Sequence, residues 1–353
     1  MYKKLLINTI MTGIILFSCE MDPTSVDHDA DVKLNGVFII NEGGFGHNNG
    51  SLSFYQAEDN SIQNGIFKEV NGRVLGDVVQ SMTIIDTLGF IVVNNSNMIE
   101  VISINSWKSI KTIGMPAGSS PRYLADGNNG KAYVTNLYTN NVSVINLSNY
   151  EIESSISVGA NPEEIVIAED KAYVAISGFG YGKTVSVIDL SSNTVLNSII
   201  VGDNPSSIER DTKGVIHVLC MGRWGEWNNP DDPGTNGGIY SIDPLSLQVV
   251  DSLLLDGHPS KLCINDDNIG YFINGSSIMS FYTDTYEMVK DTLITGYYYG
   301  LALDPVSDKL FAMDAKDYAQ NGSVSVFDLA GNLLNTFNVG IIPGDAAFVY
   351  EQD

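Results

Sequence analysis

The sequence has little of several things. It holds three cysteines, four histidines, and 18 basic residues against 42 acidic ones. One cysteine, Cys19, closes an N-terminal apolar stretch, which leaves Cys220 and Cys263. Two cysteines are too few for a disulfide framework, so a packed core must hold the fold. They read as two separate buried thiols, with a single bridge as the alternative. A formal net charge of −24 repels polyanions and argues against nucleic acid and anionic lipid as partners. The histidines are well separated and show no HExxH-type spacing, so neither metal nor cofactor is expected. No GxSxG elbow or phosphate-cradling glycine loop occurs in a strand–helix setting. Beyond the N-terminus, no apolar run is long enough to span a bilayer.

The N-terminus is of a different kind. Lys3 and Lys4 precede an uncharged, mostly apolar run from Leu5 to Phe17. That pattern is a secretory signal, short for a membrane span and basic at its start. It ends in Leu16-Phe17-Ser18-Cys19, which resembles a lipobox. The resemblance implies a signal peptide over 1–18, cleavage before Cys19, and acylation of that cysteine. Membrane contact is then expected through the lipid anchor only. Glu20 and Asp22 read equally as a surface-export signal or as part of a solvated linker. Residues 19–35 form a tether without an apolar run, and the folded domain is expected over 36–353.

Internal repetition decides the fold class. A short apolar run recurs seven times: Val37–Asn41, Phe90–Asn94, Ala132–Asn136, Ala172–Ile176, Ile216–Cys220, Gly270–Asn274 and Leu310–Asp314. Each is rich in β-branched and aromatic residues and reads as a buried strand. A second core follows each one, as in Val142–Asn146, Val185–Asp189 and Val324–Asp328. A less regular strand comes next, then a turn that often contains proline, then a strand such as Pro121–Ala125 or Pro162–Ala168. Four strands in about 40 residues, seven times over, predict an all-β fold: a seven-bladed β-propeller of four-stranded antiparallel blades. The first blade lacks its innermost strand. Pro343–Tyr350 is such a strand with nothing after it, so the C-terminal strand is expected to close the ring and remove the open edges.

Tyr133-Val134-Thr135-Asn136 resembles the YVTN, or YncE-like, propeller repeat. The chain from Cys19 on also resembles surface propeller lipoproteins of gut-type Gram-negative bacteria. The matching segments are Asn41–Gly46, Leu75–Ser81, Pro121–Tyr123 and Asn321-Gly322. BtuG-type cobalamin-binding propellers are similar in export signal and repeat. That resemblance implies an outer-membrane, surface-exposed lipoprotein working beside a TonB-dependent transporter.

Strand order predicts which loops share a face. In an antiparallel meander, the 2-to-3 and 4-to-1 connections lie together. The 2-to-3 set carries Glu42, Phe45 and His47, Asn95, Tyr138, Phe179 and Tyr181, then Arg223, Trp224, Glu226 and Trp227, and finally Lys316, Asp317 and Tyr318. The 4-to-1 set adds Gln80, Arg122, Tyr123, Glu163, His258, Lys261, Tyr297, Tyr298 and Tyr299. From these, a ligand-binding set is drawn: Glu42, Phe45, His47, Gln80, Asn95, Arg122, Tyr138, Tyr181, Arg223, Trp224, Trp227, Tyr298, Tyr299, Asp317 and Tyr318. Aromatic side chains around a depression offer large contact area at low entropic cost. The longest insertion, from Met221 to Gly238, holds two of the three tryptophans.

Three functions fit this pattern. The first is capture of a bulky, near-neutral nutrient for a transporter, with a corrinoid as the best specific candidate. The second is a protein- or glycan-binding propeller. The third is a lactonase-like hydrolase using Glu42, His47 and Arg122 as an acid–base set. Binding without catalysis is the expectation taken forward.

Overall fold

The computed structural model describes residues 34–351 apart from 227 and 230. The signal peptide, Cys19, most of the tether and Trp227 lie outside the described residues.

Seven four-stranded antiparallel sheets are arranged as blades of a ring. The innermost strands are Pro343–Tyr350, Val79–Ile85, Pro121–Asp126, Pro162–Ala168, Pro205–Arg210, Ser260–Ile264 and Gly300–Asp304, for blades one to seven. Each touches the next, and the last returns to the first. The second strand of each blade is the apolar run read from sequence. Lys131–Asn136 and Lys171–Ile176, for example, are buried from their second residue onward. These strands have neighbours on both edges and blades on both faces, which is why they are continuously apolar rather than alternating. The outermost strands have one covered face. Glu151–Ser157 buries fully only Ile156, and Thr194–Ile200 only Ile199. The two form the same register pair in successive blades, Val142 with Ile156 and Val185 with Ile199.

The C-terminal strand closes the ring as expected. It pairs antiparallel with Leu34–Asn41, from Leu34 opposite Tyr350 to Asn41 opposite Pro343. Apolar packing backs the pairing. Tyr55 of blade one stacks on Phe337 of blade seven at 4.8 Å and 6°, and Phe311 meets Phe348 edge-on at 5.4 Å. Burying such rings stabilises by about 2–3 kcal/mol each.

One element departs from the repeat. The fourth strand of blade one is only Ser61–Asn64, and a six-residue helix, Ile66–Asn71, follows it. Ile66 and Phe67 of this helix pack into the seam between blades one and two. Glycines in left-handed conformation flank it at both ends, Gly65 and Gly72. Cys220 and Cys263 are both buried and unbridged. His217 is a buried structural residue, with Nδ1 2.8 Å from the Tyr286 hydroxyl and Nε2 3.1 Å from Asp211.

Candidate functional site

The site is built by a defect repeated at the start of the innermost strands. Pairing skips between Val79 and Ser81, Pro121 and Leu124, Pro162 and Ile165, Pro205 and Ser207, and Ser260 and Leu262. Proline has no N–H to give the ladder, so a strand that begins with it tolerates a bulge there. The extra residue is unpaired, and the bulge re-aims its side chain. This delivers Gln80, Arg122, Glu163, Ser206 and Lys261 to the mouth of the central channel. In blade six the bulged residue is itself left-handed, Lys261 with φ 55°.

These side chains line a funnel of about 340 Å³, together with Glu42, Tyr123, Glu164, Tyr298 and Tyr299. Arg122 bridges three blades. Its Nε lies 2.7 Å from Glu163 of blade four, and its Nη1 donates to Gln80 of blade two. Burial alone would favour the neutral guanidine, but the Glu163 carboxylate reverses this and holds Arg122 charged. Across the mouth, the Tyr299 hydroxyl donates to Glu42 at 3.0 and 3.1 Å. Burial raises the pKa of Glu42, opposed by Lys261, the Tyr299 hydrogen bond and Arg122. Gly344 makes this contact fit: a Cβ there would stand 2.7 Å from the Glu42 carboxylate and 3.1 Å from the Tyr299 ring.

A second chamber of about 390 Å³ continues down the axis. Tyr123, Glu164 and Lys261 line both spaces and so form the waist between them. Glu164 accepts from the Ser207 hydroxyl at 2.7 Å and from the Ile208 N–H at 3.0 Å. Burial would discharge Lys261, but the neighbouring Glu164 and Asp345 hold it as ammonium. The chamber also carries Glu209 and Asp345. Burial and the neighbouring Glu164 and Asp345 push Glu209 up to about 8. Burial pushes Asp345 up to about 6, with Lys261 opposing. Near neutral pH, Glu209 therefore carries a proton.

The candidate residues divide into groups. Glu42, Gln80, Arg122, Tyr298 and Tyr299 meet in the funnel. Tyr181, Arg223 and Trp224 meet in a separate cleft on the rims of blades four and five. Phe45, Tyr138 and Tyr318 are exposed on the surrounding rim. His47 is exposed on the blade-one loop and does not line the funnel, so it stands apart from Glu42 and Arg122. Asn95 does not line the funnel; its amide donates to Asp77 at 2.6 Å, and Asp77 in turn accepts the Gly46 N–H. Asp317 caps its own turn by accepting the N–H groups of Ala319 and Gln320. Glu164, Glu209 and Asp345 were not singled out from sequence. Glu164 and Asp345 stand two places after the strand-opening proline, as Tyr123 and Ser207 do. Reading the repeats in alignment at that position is the signal that finds Glu164 and Asp345, but not Glu209, which stands four places after Pro205.

Comparison with known proteins places the fold. Similar solved structures include hydrazine synthase from Kuenenia stuttgartiensis, at 18% identity over 76% of this chain and 88% of that one, TM-score 0.64. A functionally unknown protein from Desulfotomaculum acetoxidans matches at 15% identity over 89% and 98%, TM-score 0.67. A quinonprotein alcohol dehydrogenase-like protein from Bacteroides thetaiotaomicron matches at 14% identity over 89% and 78%, TM-score 0.68. At such identities the likeness is one of fold alone. No curated protein matches the sequence. Residues 35–222 match the family model described as Domain of unknown function (DUF5074), and the chain belongs to that family.

Proposed function

We propose that this chain is a binding protein which captures a bulky, near-neutral nutrient over the channel mouth, not an enzyme. The observation that carries the reading is the funnel itself. Two of its charged groups are already partnered, Arg122 by Glu163 and Gln80, and Glu42 by Tyr299, and Lys261 stands in the field of Glu164 and Asp345. Such a surface offers hydrogen bonds in fixed positions without a strong demand for a counter-ion. The funnel volume falls at the low end for small-molecule sites, so a large ligand would sink one part into it and lay the rest on the aromatic rim.

A corrinoid fits this description. It is large and near-neutral, and its edge is lined with amides that can pair with Glu42, Gln80 and Arg122. In the same reading, Cys19 carries lipid, the domain stands on the outer face of the outer membrane, and a TonB-dependent transporter receives the ligand. The similarity of the export signal and repeat to BtuG-type propellers supports these parts.

The test is a thermal-shift panel on the purified protein with cyanocobalamin, cobinamide, haem and a ferric siderophore. A ligand at a hundred times its Kd stabilises by about 2.7 kcal/mol, a clear rise in midpoint. A rise with the corrinoids that Arg122→Ala abolishes is the expected result. A panel without any shift would remove the corrinoid assignment.

A further inference from the structure

Beyond the funnel, the rim carries a second feature. Eight aromatic side chains are exposed among the described residues, and Tyr282 alone sits at a turn on the opposite face. Four of the other seven form one arc across blades three to five. Tyr138 lies 5.9 Å from Phe179, and Tyr181 lies 5.9 Å from the Arg223 guanidinium. Trp224 follows, with its ring against His258 at 3.4 Å. Between 58% and 65% of each of Tyr138, Phe179, Tyr181 and Trp224 is open to solvent. Water-facing rings in this number on one rim mark a recognition surface.

The arc is held in place at a cost. Gly178, Phe179 and Gly180 are three successive left-handed residues, with φ of 53°, 51° and 95°. Glycine adopts this readily, but for a bulky L-residue it costs about 1–2 kcal/mol. The Gly182 N–H closes this loop on the Ser177 carbonyl at 2.8 Å. The left-handed turn presents Phe179 to the cleft, and strain of this kind gathers at ligand clamps. The long blade-five loop is braced as well. Asp232 takes a two-pronged bond from Arg223 at 2.6 and 2.7 Å and also accepts the Gly234 N–H. Thr235 ties the same loop to Asp203. His258 is fixed behind Trp224 by a bond from Nδ1 to the Met221 carbonyl, so Nδ1 carries the proton. One face of Trp224 is covered by that ring.

Charge narrows the ligand class. Arg223 is spent on Asp232, so among the described residues that line the cleft no cation is free for an anionic ligand. The acidic excess of the whole chain disfavours anions further. Glu226 and Asn228 line the same cleft as the rings and add polar groups to its apolar faces. A protein partner's apolar centre would be poorly served by that mixture. A sugar ring matches it, because its C–H face stacks on an aromatic ring while its hydroxyls meet carboxylate and amide. From strain, bracing and charge together, we infer that the arc from Tyr138 to Trp224 is a platform for a neutral oligosaccharide chain, distinct from the funnel.

The test is native-gel retardation of the purified protein in amylopectin, mixed-linkage β-glucan, arabinoxylan and galactomannan. At least one of these should retard the wild type. Trp224→Ala and Tyr181→Ala should each weaken that retardation tenfold or more with an unchanged thermal midpoint, and Trp224→Phe should keep most of it. Lys261→Met, in the funnel, should leave it intact. Failure of all four polysaccharides, or equal retardation of Trp224→Ala and wild type, overturns the inference. Loss with Lys261→Met alone would move the binding to the funnel and overturn it too. The corrinoid panel reads the funnel separately, so either reading can fail without the other.

Discussion

Tyr299 donates its hydroxyl to both carboxylate oxygens of Glu42 across 257 residues of sequence. The two belong to opposite ends of the chain, and the ring brings them to one lip of the channel. Neither hydrogen-bonding group has a reason to be where it is until blade seven meets blade one.

Tyr299→Phe tests what that contact is worth. The variant leaves a buried carboxylate without its donor. Stability should fall by about 1–2 kcal/mol at pH 8, from the value typical of a hydrogen bond to a charged group. The loss should shrink at pH 5. Burial has already raised the pKa of Glu42, and losing the donor raises it further, so more of the group is protonated there. Urea unfolding at the two pH values measures both. An equal loss at both would show that Glu42 is not the partner that matters.

Lys261 stands at the waist without a direct ion pair among the described residues and is held charged against burial by the field of Glu164 and Asp345. Lys261→Met should therefore cost about 2 kcal/mol near pH 8, because the carboxylates lose their counter-charge. Adding Glu164→Gln should recover about 1 kcal/mol of it, as expected for coupled neighbours. A double-mutant cycle by chemical denaturation reads the coupling. Strict additivity would mean the two groups do not sense each other.

Glu209 and Asp345 give the fold an unusual pH slope. Their folded-state values, about 8 and about 6, lie above their ordinary values of 4.5 and 3.8. Between those limits the folded state binds more protons than the unfolded one. Stability from these groups is therefore complete below about pH 4 and is lost as pH rises through 6 and then 8. Glu209→Gln should remove the upper part of that loss. At pH 9 the variant should exceed the wild type by about 1 kcal/mol or more, with little difference at pH 5. Thermal midpoints across pH 4 to 9 provide the measurement.

Ring closure rests on a strand pairing and on the stack of Tyr55 against Phe337. Phe337→Ala should destabilise by about 3–4 kcal/mol, through lost burial, a residual cavity and the lost ring pair. Deleting residues 343–353 should do more. It uncovers the edge of Leu34–Asn41 and should give aggregates rather than a looser monomer, as light scattering would show.

Much of the fold was legible because its cause is local. Apolar runs such as Ala132–Asn136 and Ala172–Ile176 declare buried strands by composition, and their spacing declares the blade. The orphan strand Pro343–Tyr350 declares the closure. The helix Ile66–Asn71 was not legible: it is one turn and a half long, and only the seam it fills between blades one and two gives it a reason to form. Asn95 looked like a site residue because it sits on the right loop. Its contact with Asp77, which only the structure reveals, ties the loops of blades one and two together.

The site follows the same division. Sequence by itself determined which loops share a face, because alternation of strand direction fixes that without any distance. It therefore placed Glu42, Arg122, Tyr299 and Trp224 on one side of the ring. Only the tertiary structure decided which of them meet. The direction of a side chain at a bulge, the depth of Lys261, Glu164 and Asp345 on the axis, and the brace between Arg223 and Asp232 all depend on where neighbouring blades stand. Local strand patterning is a property of a few consecutive residues, whereas a channel exists only once seven blades have closed around it.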